Sequence, residues 1–517
     1  MNQKGDEYDA AEKYIGGDAD VAVGYTSGEN VVHKSDFIVG DSWYAKCQRF
    51  AGKLGVEQRG IERVPEDERT DTTMSKVGTM WLSANMVVSS FAIGALAQPI
   101  FALGFVDTAL TIVLINALAI TPVCFFSTFG PRFGLRQMVL SRFFFGYHFV
   151  KIIAFFNVIA CVGWSAANVI VGAQLFNAVN NNMPGWAGIL VIAFSTLIVC
   201  FFGYRIVHAY ERWSWIPCLI IFIIVAAEFG RTGKFSNMLP LEVGLGEAGS
   251  VLSFAASVFG FGTGWCSYAA DYTVYQPATR SKRSVFLWTF GGLYFPLLFT
   301  ELLGAAVMTA ASNDADFENA YYDGGIGGLM AMVLVPPLGK FGEFCLVILA
   351  LSIIANNCPN IYSVSLSLQV MHKGTQRVPR FIWVLIGTGV YIAIAIPGYN
   401  HFASWLENFM TIIAYWLAIY EGISLTEHFV FRRGFEGYRP EDYTDASKLP
   451  PGFAAALAFC FGIMGVVLGM AQTWYIGVIG KLCGTDYGGD VGFELAFGFS
   501  SISYLVFRTL EKNYFKR

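Results

Sequence analysis

Long apolar segments alternate with short polar loops from about residue 76 to residue 508 of this 517-residue chain. Most segments reach the roughly 20 residues that an α-helix needs to cross a lipid bilayer. The pattern therefore predicts an all-α integral membrane protein with twelve transmembrane helices. The predicted spans lie near Val77–Phe101, Thr108–Thr128, Phe149–Phe176, Trp186–Phe202, Trp213–Phe229, Val251–Ala270, Val285–Ala311, Phe344–Val370, Phe381–Ile396, Phe402–Ile423, Phe453–Tyr475 and Val491–Phe507.

Basic residues are concentrated in alternate loops. If the N-terminus is cytosolic, the inner loops carry fifteen Lys and Arg, and the outer loops hold only Arg231, Lys234, Lys340 and Lys481. Cytosolic loops of membrane proteins carry an excess of Lys and Arg. The asymmetry therefore predicts that both termini are cytosolic.

Composition agrees with a membrane protein and excludes several kinds of site. The chain is 55% hydrophobic and 14% charged, whereas soluble domains carry about 25% charged residues. The net charge of −4 is uninformative because the charges lie in tails and loops. Ten cysteines are scattered without a CxxC or a Cys/His cluster, so neither a disulfide framework nor a metal site is predicted.

Polar interruptions of the spans recur at matching positions in two halves. Span 1 contains Ser89-Ser90, Gly94 and Gln98-Pro99, which predict a break in its helix, and span 6 contains the glycine-rich run 260–265. Span 3 carries the polar run 163–168, and span 8 carries an asparagine cluster. Interrupted helices at equivalent positions indicate a transporter site at the interface of inverted repeats.

The predicted domain boundaries follow from these halves. Residues 1–75 are predicted to be a cytosolic tail with an amphipathic helix over 42–60, and residues 509–517 a cytosolic C-terminal tail. The membrane domain, 76–508, divides into a first repeat (76–230), a second repeat (249–425) and the last two spans (452–508).

The asparagine cluster of span 8 is the most unusual polar feature. Asn356, Asn357 and Asn360 are spaced so that they share one face of a helix. Pro359 cannot donate a backbone hydrogen bond, which leaves the Ala355 carbonyl available to another partner. One asparagine in a membrane helix often only bonds a neighbouring helix. Three on one face beside a proline favour a polar binding site.

Two tryptophans and a fourth asparagine complete the candidate site. Trp164 and Asn168 are four residues apart on span 3, and Trp265 follows the glycine run of span 6. Tryptophan rings stack on flat bases, and carboxamides match the donor and acceptor edge of adenine. The set favours a neutral heteroaromatic ligand, although the break in span 1 could also hold the carboxylate of an amino acid. Ser83, Ser89 and Ser90 offer further polar contacts.

Glu301 is the carboxylate placed deepest within a predicted span. Carboxylates inside a membrane are the usual candidates for a proton relay, so Glu301 is the proton-coupling candidate. An enzyme is disfavoured, because the sequence has neither HExxH nor GxSxG and its six histidines are isolated. A transporter of amino acids or of another small ring, and a sensor with the same site, stay open as alternatives.

The motifs resemble one known family. Trp81-Leu-Ser-Ala-Asn-Met86 in span 1, Gly163-Trp-Ser-Ala-Ala-Asn168 in span 3 and Asn356-Asn-Cys-Pro-Asn360 in span 8 resemble the fungal purine–cytosine permease branch of the nucleobase–cation symporter-1 family. The resemblance covers residues 70–510. It implies the leucine-transporter fold, a 5+5 inverted repeat followed by two helices. It also implies proton-driven import of cytosine, adenine, guanine and hypoxanthine across the plasma membrane.

The resemblance also assigns site residues. It implies that one of the three serines of span 1 binds substrate, that Trp265 is the second stacking ring and that Pro359 shapes the site. The other substrate-binding residues that it implies are Trp164, Ser165, Asn168, Asn356, Asn357 and Asn360. No cofactor beyond the co-transported proton and no nucleic-acid partner are implied. Membrane lipid and the nucleobase are the expected partners.

One departure from the family bears on the coupling ion. Sodium-coupled relatives place adjacent hydroxyls in span 8 ahead of the substrate amide, whereas here the stretch 351–355 holds a single hydroxyl, that of Ser352. A sodium cage needs several oxygen ligands, so proton coupling is predicted. The alternative is a proton or sodium symporter of another small heteroaromatic, such as a pyridoxine-type vitamin.

Overall fold

The structure, a computed structural model, describes residues 59–202, 210–237 and 243–517. Helices lie at all of the predicted span positions. Those of the first half are α1 (Ser75–Asn85), α2 (Val88–Leu96), α3 (Phe105–Ser127), α4 (Arg142–Val179), α5 (Gly185–Phe202) and α6 (Trp215–Thr232). Two short helices, Phe129–Phe133 and Gln137–Leu140, connect α3 to α4.

The second half and the C-terminal region continue the helical order. Their helices are α7 (Leu245–Thr263), α8 (Lys282–Met308), α9 (Ala315–Leu338), α10 (Lys340–Met371), α11 (Arg380–Gly398), α12 (Phe402–Thr426), α13 (Phe453–Gly469) and α14 (Gly492–Phe515). A short helix, Lys373–Arg377, precedes α11. A hairpin of two short antiparallel strands, β1 (Ala471–Gln472) and β2 (Tyr475–Ile476), lies between α13 and α14.

Within the described residues, 8 helices are long and apolar enough to cross a membrane, or up to 9 when the bent pair α1 and α2 counts as one span. The chain is therefore a multi-pass membrane protein. Helices α5 and α13 are apolar but shorter than this measure requires. The count of twelve crossings stays a prediction, as do the domain boundaries. The predicted amphipathic helix over 42–60 lies almost wholly outside the described residues.

In the part of the chain that the structure describes, the first and sixth predicted spans are both broken. Helices α1 and α2 meet at an angle of 54°, with Val87 in extended conformation between them. Helix α7 ends at Thr263, and the chain continues as a 3-10 helix from Cys266 to Tyr272. The first break precedes the predicted one, because Ser89, Ser90 and Gly94 all lie inside α2.

Gly94 serves close packing instead of a break. A Cβ atom at Gly94 would lie 1.8 Å from the carbonyl oxygen of Glu301 on α8. A Cβ atom at Gly304, also on α8, would lie 2.0 Å from the carbonyl oxygen of Phe91. Small residues at a helix contact let two backbones approach each other closely. This pair of glycines holds α2 against α8.

Helix α9 was not predicted from the sequence, which indicated an outer loop between spans 7 and 8. Its first turn is capped by Asp314, whose carboxylate accepts from the backbone N–H of Asp316 at 3.0 Å and of Phe317 at 3.4 Å. A hydrogen bond from Lys234 holds the pKa of Asp314 below its usual range. Left-handed backbone at Gly325 (φ 59°) bends the helix, and this interruption hid it from a search for continuous apolar segments.

Candidate functional site

A chain of hydrogen bonds joins α2, α4, α10 and α1 at the centre of the molecule. The Ser89 hydroxyl donates to Asn168 Oδ1 at 2.7 Å, and Asn168 Nδ2 donates to Asn356 Oδ1 at 2.7 Å. Asn356 Nδ2 in turn donates to the backbone carbonyl of Ala84 at 2.5 Å. All three side chains are buried. Two residues predicted from separate spans, Asn168 and Asn356, are therefore direct partners.

The Ala84 carbonyl, the last acceptor, fixes the direction of every hydrogen bond in this series. A backbone carbonyl can only accept a hydrogen bond, so the Asn356 amide nitrogen must face Ala84. Its oxygen then faces Asn168, which must present its own nitrogen and turn its oxygen toward the Ser89 hydroxyl. The orientation of both carboxamides follows from chemistry alone, and each amide keeps a second N–H for a ligand.

A second set of contacts ties the two broken spans to α10. The indole N–H of Trp265 donates to Asn85 Oδ1 at 3.2 Å. The hydroxyl of Tyr268 donates to Asn360 Oδ1 at 2.7 Å, and Asn360 Nδ2 donates to the backbone carbonyl of Asn356 at 3.1 Å. The two breaks are therefore joined to each other, and the break of the sixth span is joined to the asparagine-bearing segment of α10.

Two small adjoining cavities lie at this centre. Trp164 and Phe261 line both of them. The first is also lined by Ser89, Ile93, Ala167, Asn168, Val171, Phe402 and Leu406, and the second by Gly264, Trp265, Tyr268, Asn356 and Asn360. Each is so narrow that about one water-sized sphere fits at its centre. A base-sized ligand requires these side chains to move apart.

The two predicted tryptophans both reach the second cavity, and each is held by edge-on ring contacts. Trp164 packs against Phe261 and Phe409, with ring centroids 5.3 Å apart in both pairs. Trp265 packs against Trp81 at 5.4 Å and Tyr268 at 5.8 Å. Edge-to-face contacts orient aromatic rings. These contacts orient both indoles at the second cavity.

Other predicted site residues lie away from the cavities. Asn357 contacts Tyr391 of α11, because one residue on from Asn356 is a rotation of about 100° around the helix. Asn357 therefore does not share the ligand-facing side with Asn356 and Asn360, contrary to the prediction. Ser165 bonds the Cys161 carbonyl of its own helix at 2.8 Å. Pro359 is buried within an uninterrupted α10 and lines neither cavity.

The three span 1 serines are separated by the break. The Ser89 hydroxyl belongs to the hydrogen-bonded chain and lines the first cavity. Ser90 instead donates to the Asn85 carbonyl at 2.8 Å, where it satisfies the end of α1. Ser83 donates to the backbone carbonyl of Glu211. Ser89 is therefore the serine that faces the candidate ligand.

Glu301 is completely buried on α8, beside α2 and α3. Its Oε2 accepts from Asn116 Nδ2 at 2.7 Å, while its Oε1 has no hydrogen-bond partner among the described residues. Glu301 lines neither cavity, but its backbone touches Gly94 of α2, the helix that carries Ser89. The backbone of Glu301 thus packs directly against the helix that carries Ser89.

A polar network that the sequence analysis did not single out continues from the site along α4 and α10. Asn157 lies toward the Arg142 end of α4, which the loop charges predict to be cytosolic. Its Nδ2 donates to Ser363 at 3.0 Å and Ser367 at 2.8 Å, and its Oδ1 accepts from Ser267 at 2.6 Å. Four buried side chains from three elements therefore form one hydrogen-bonded network on this side of the cavities.

Known proteins match this chain over most of its length. A family profile described as "Permease for cytosine/purines, uracil, thiamine, allantoin" matches residues 63–487. A purine-cytosine permease of Emericella nidulans, fcyB, is 58% identical over 492 residues, which are 95% of this chain and 96% of the relative. The vitamin B6 transporter TPN1 of Saccharomyces cerevisiae is 30% identical over 90% of this chain and 89% of its own length.

The fold has a solved counterpart. Mhp1, a nucleobase-cation-symport-1 family transporter in a closed conformation with bromovinylhydantoin bound, superposes with a TM-score of 0.68 at 13% identity. The match covers 88% of this chain and 96% of Mhp1. The predicted leucine-transporter-like fold is confirmed. The prediction that the protein is a transporter and not an enzyme is confirmed by the permease relatives. The chain belongs to the cytosine and purine permease family of the nucleobase–cation symporters.

Proposed function

We propose that the protein is a symporter that imports cytosine and the purine bases adenine, guanine and hypoxanthine across the plasma membrane by alternating access. The observation that carries the proposal is the second cavity, in which Trp164 and Trp265 meet the carboxamides of Asn356 and Asn360. Flat rings bind aromatic faces, and base edges bind amides. The 58% identity to a purine-cytosine permease supports the same ligands.

Neutral bases suit this site because none of the described residues that line either cavity is charged. A buried amide that is already oriented loses little entropy when a ligand binds. Asn356 and Asn360 each keep a second N–H that can donate to a ring nitrogen or a carbonyl of the base. The site thus offers stacking for affinity and amides for selection among flat rings.

Alternating access requires a closure on each side of the base. Phe402 and Leu406 at the start of α12 cover the first cavity, on the side that the loop charges predict to be extracellular. The Asn157 network closes the opposite side. Opening these closures in turn would admit the base from outside and release it inside, with both termini in the cytosol as the basic loops predict. Lipid would surround exposed apolar side chains such as Leu110, Leu114 and Leu118 of α3.

Coupling to a proton is proposed through Glu301. A buried carboxylate with one oxygen bonded to Asn116, and the other without a partner among the described residues, is stable in a membrane when protonated. The single hydroxyl ahead of the asparagines, that of Ser352, donates to the Leu349 carbonyl at 2.6 Å and accepts from the Val88 N–H at 3.4 Å. It therefore contributes little to a cage of oxygens around sodium.

A pyridoxine-type vitamin is the second candidate substrate. The observation that favours it is the vitamin B6 transporter, which is 30% identical over 90% of this chain. The identity to the purine-cytosine permease is almost twice as high over a similar length. The nucleobase proposal is therefore preferred, and pyridoxine serves as a competitor in the test.

The test is uptake of radiolabelled cytosine and adenine by cells that lack their own nucleobase carriers. We expect saturable uptake that rises at acidic external pH, collapses with a protonophore and is unaffected by excess pyridoxine. Uptake that followed external sodium would overturn the proposal of proton coupling and leave the proposed substrates intact. Absence of base uptake, with tagged protein at the cell surface, would overturn the proposed substrate.

A further inference from the structure

Tyr268 occupies an unusual place in the broken sixth span. It lies within the 3-10 segment that follows α7, where its backbone departs from helical geometry (φ −144°, ψ 18°). This departure turns its side chain into the second cavity beside Trp164, Trp265, Asn356 and Asn360. The ring is buried. Tyr268 is thus the only hydroxyl among the described residues that line this cavity.

The single proton of the Tyr268 hydroxyl is already committed. Asn360 Nδ2 faces the backbone carbonyl of Asn356, which can only accept, so Asn360 Oδ1 must face Tyr268. An amide oxygen has no proton, so the tyrosine is the donor in the 2.7 Å bond between them. What the phenolic oxygen still offers to the cavity is a lone pair.

We propose that Tyr268 determines substrate specificity by accepting a hydrogen bond from an N–H on the edge of the base. This inference rests on the proposed function, because it assigns a role within the same site. The ligand group is the exocyclic amine of cytosine or adenine, or the ring N–H of guanine or hypoxanthine. A second N–H of Asn356 or Asn360 donates to the acceptor that adjoins this group on each of these bases.

The commitment of the tyrosine proton makes the contact selective. A hydroxyl that is free to rotate would bind a donor or an acceptor equally well. Here an acceptor on the base in that position would face an oxygen lone pair with no proton between them, which leaves both groups unpaired. Sites that hold a buried polar group reject ligands that fail to pair with it.

The experiment compares ligand pairs that differ only by the amine. Adenine and unsubstituted purine form one pair, and cytosine and 2-pyrimidinone form the other. KM or inhibition constants for all four are measured with the full chain and with Tyr268→Phe, which keeps the ring and removes only the hydroxyl. We expect Tyr268→Phe to weaken adenine and cytosine about five- to tenfold, to leave purine and 2-pyrimidinone unchanged, and to preserve the maximal rate.

Tyr272→Phe is the matched control, because Tyr272 lies in the same buried 3-10 segment but lines neither cavity. We expect it to change none of the four constants. Equal losses for adenine and purine in Tyr268→Phe would show that the hydroxyl only positions Asn360, and would overturn the inference. Equal affinity of the unaltered protein for adenine and purine would overturn it as well, even if the variant failed to reach the membrane. Failure of the unaltered protein to bind either base would instead refute the proposed function.

Discussion

The indole N–H of Trp265 donates to the side-chain oxygen of Asn85 at 3.2 Å, so the breaks of the two broken spans are joined directly. Asn85 also donates to the Trp81 carbonyl at 3.0 Å, and the Trp81 ring packs edge-on against Trp265. A base that displaces Trp265 must therefore disturb the end of α1. This contact gives ligand binding a physical route to the end of α1.

Truncation of the central amides should abolish uptake. Asn168→Ala removes the partner of the Ser89 hydroxyl and of Asn356 Oδ1, and Asn356→Ala removes the partner of Asn168 Nδ2 and of the Ala84 carbonyl. Each loss of a buried partner costs about 1–3 kcal/mol. We expect transport to fall at least tenfold in each variant, measured as base uptake normalised to tagged protein at the surface. Normal KM values in both variants would mean that these amides only join helices.

Ring chemistry at position 164 should determine affinity. Trp164→Ala removes a face that stacks on a base, an interaction worth about 1–3 kcal/mol, whereas Trp164→Phe keeps a smaller aromatic face. We expect KM to rise about tenfold or more in the alanine variant and only a few-fold in the phenylalanine variant. Uptake kinetics at several base concentrations measure both values. Equal losses would argue against stacking.

Some of this arrangement could be predicted from the sequence, and the reasons are specific. Asn168 and Asn356 were found because polar residues in apolar helices are rare and because regular helices fix their spacing. Tyr268 was missed because it follows the end of α7, where a helical spacing no longer tells which residues share a face. Asn357 was wrongly assigned to the ligand-facing side of α10. Adjacent residues on a regular helix point about 100° apart, so Asn357 faces a different neighbour from Asn356.

The break in span 1 shows a related limit. Val87 adopts extended backbone without glycine or proline at that position, so no residue type marks the break. The glycine nearby, Gly94, instead allows α2 to touch α8. A single glycine has the same sequence signature in both roles, and only the neighbouring backbone distinguishes them.

Adding a methyl group at Gly94 should destabilise the protein. The new Cβ atom would lie 1.8 Å from the Glu301 carbonyl oxygen, which belongs to backbone and cannot rotate away. Overpacking of this kind costs about 1–3 kcal/mol, so we expect Gly94→Ala to lower the unfolding temperature of the detergent-solubilised protein. Gly389→Ala is the control, since among the described residues a Cβ atom there meets nothing within 4 Å beyond its own helix backbone. Equal stability of both variants would contradict the close contact of α2 and α8.

Removal of the Glu301 charge should separate transport from proton coupling. Glu301→Gln keeps the size of the side chain and a carbonyl oxygen for Asn116, but it cannot release a proton. We expect exchange of labelled for unlabelled base to persist, while accumulation against a gradient and its dependence on pH are lost. Glu343→Gln, at the start of α10 in a pair with Lys340, should leave both intact. Protonophore-sensitive accumulation in Glu301→Gln would exclude Glu301 as the proton carrier.

The Asn157 network should hold the cytosolic side of the site closed. Asn157→Ala removes the carboxamide that three serine hydroxyls share, and Cys161, whose thiol lies 3.7 Å from Asn157 Oδ1, is buried beside it. We expect Cys161 to react faster with a membrane-impermeant thiol reagent applied to inside-out vesicles. Mass spectrometry of the labelled peptide separates Cys161 from the other cysteines.

Ser365→Ala is the matched control for this network, because the buried Ser365 hydroxyl donates to the Tyr362 carbonyl of its own helix at 2.7 Å and to no other described residue. It should leave the labelling rate of Cys161 unchanged. If Asn157→Ala opens the cytosolic side, excess base should also slow or speed the labelling, since ligand shifts the population of closed and open states. Cys161 that stayed unreactive in the variant would show that closure resides in the packed apolar residues around Trp164, and that the network merely satisfies buried polar groups.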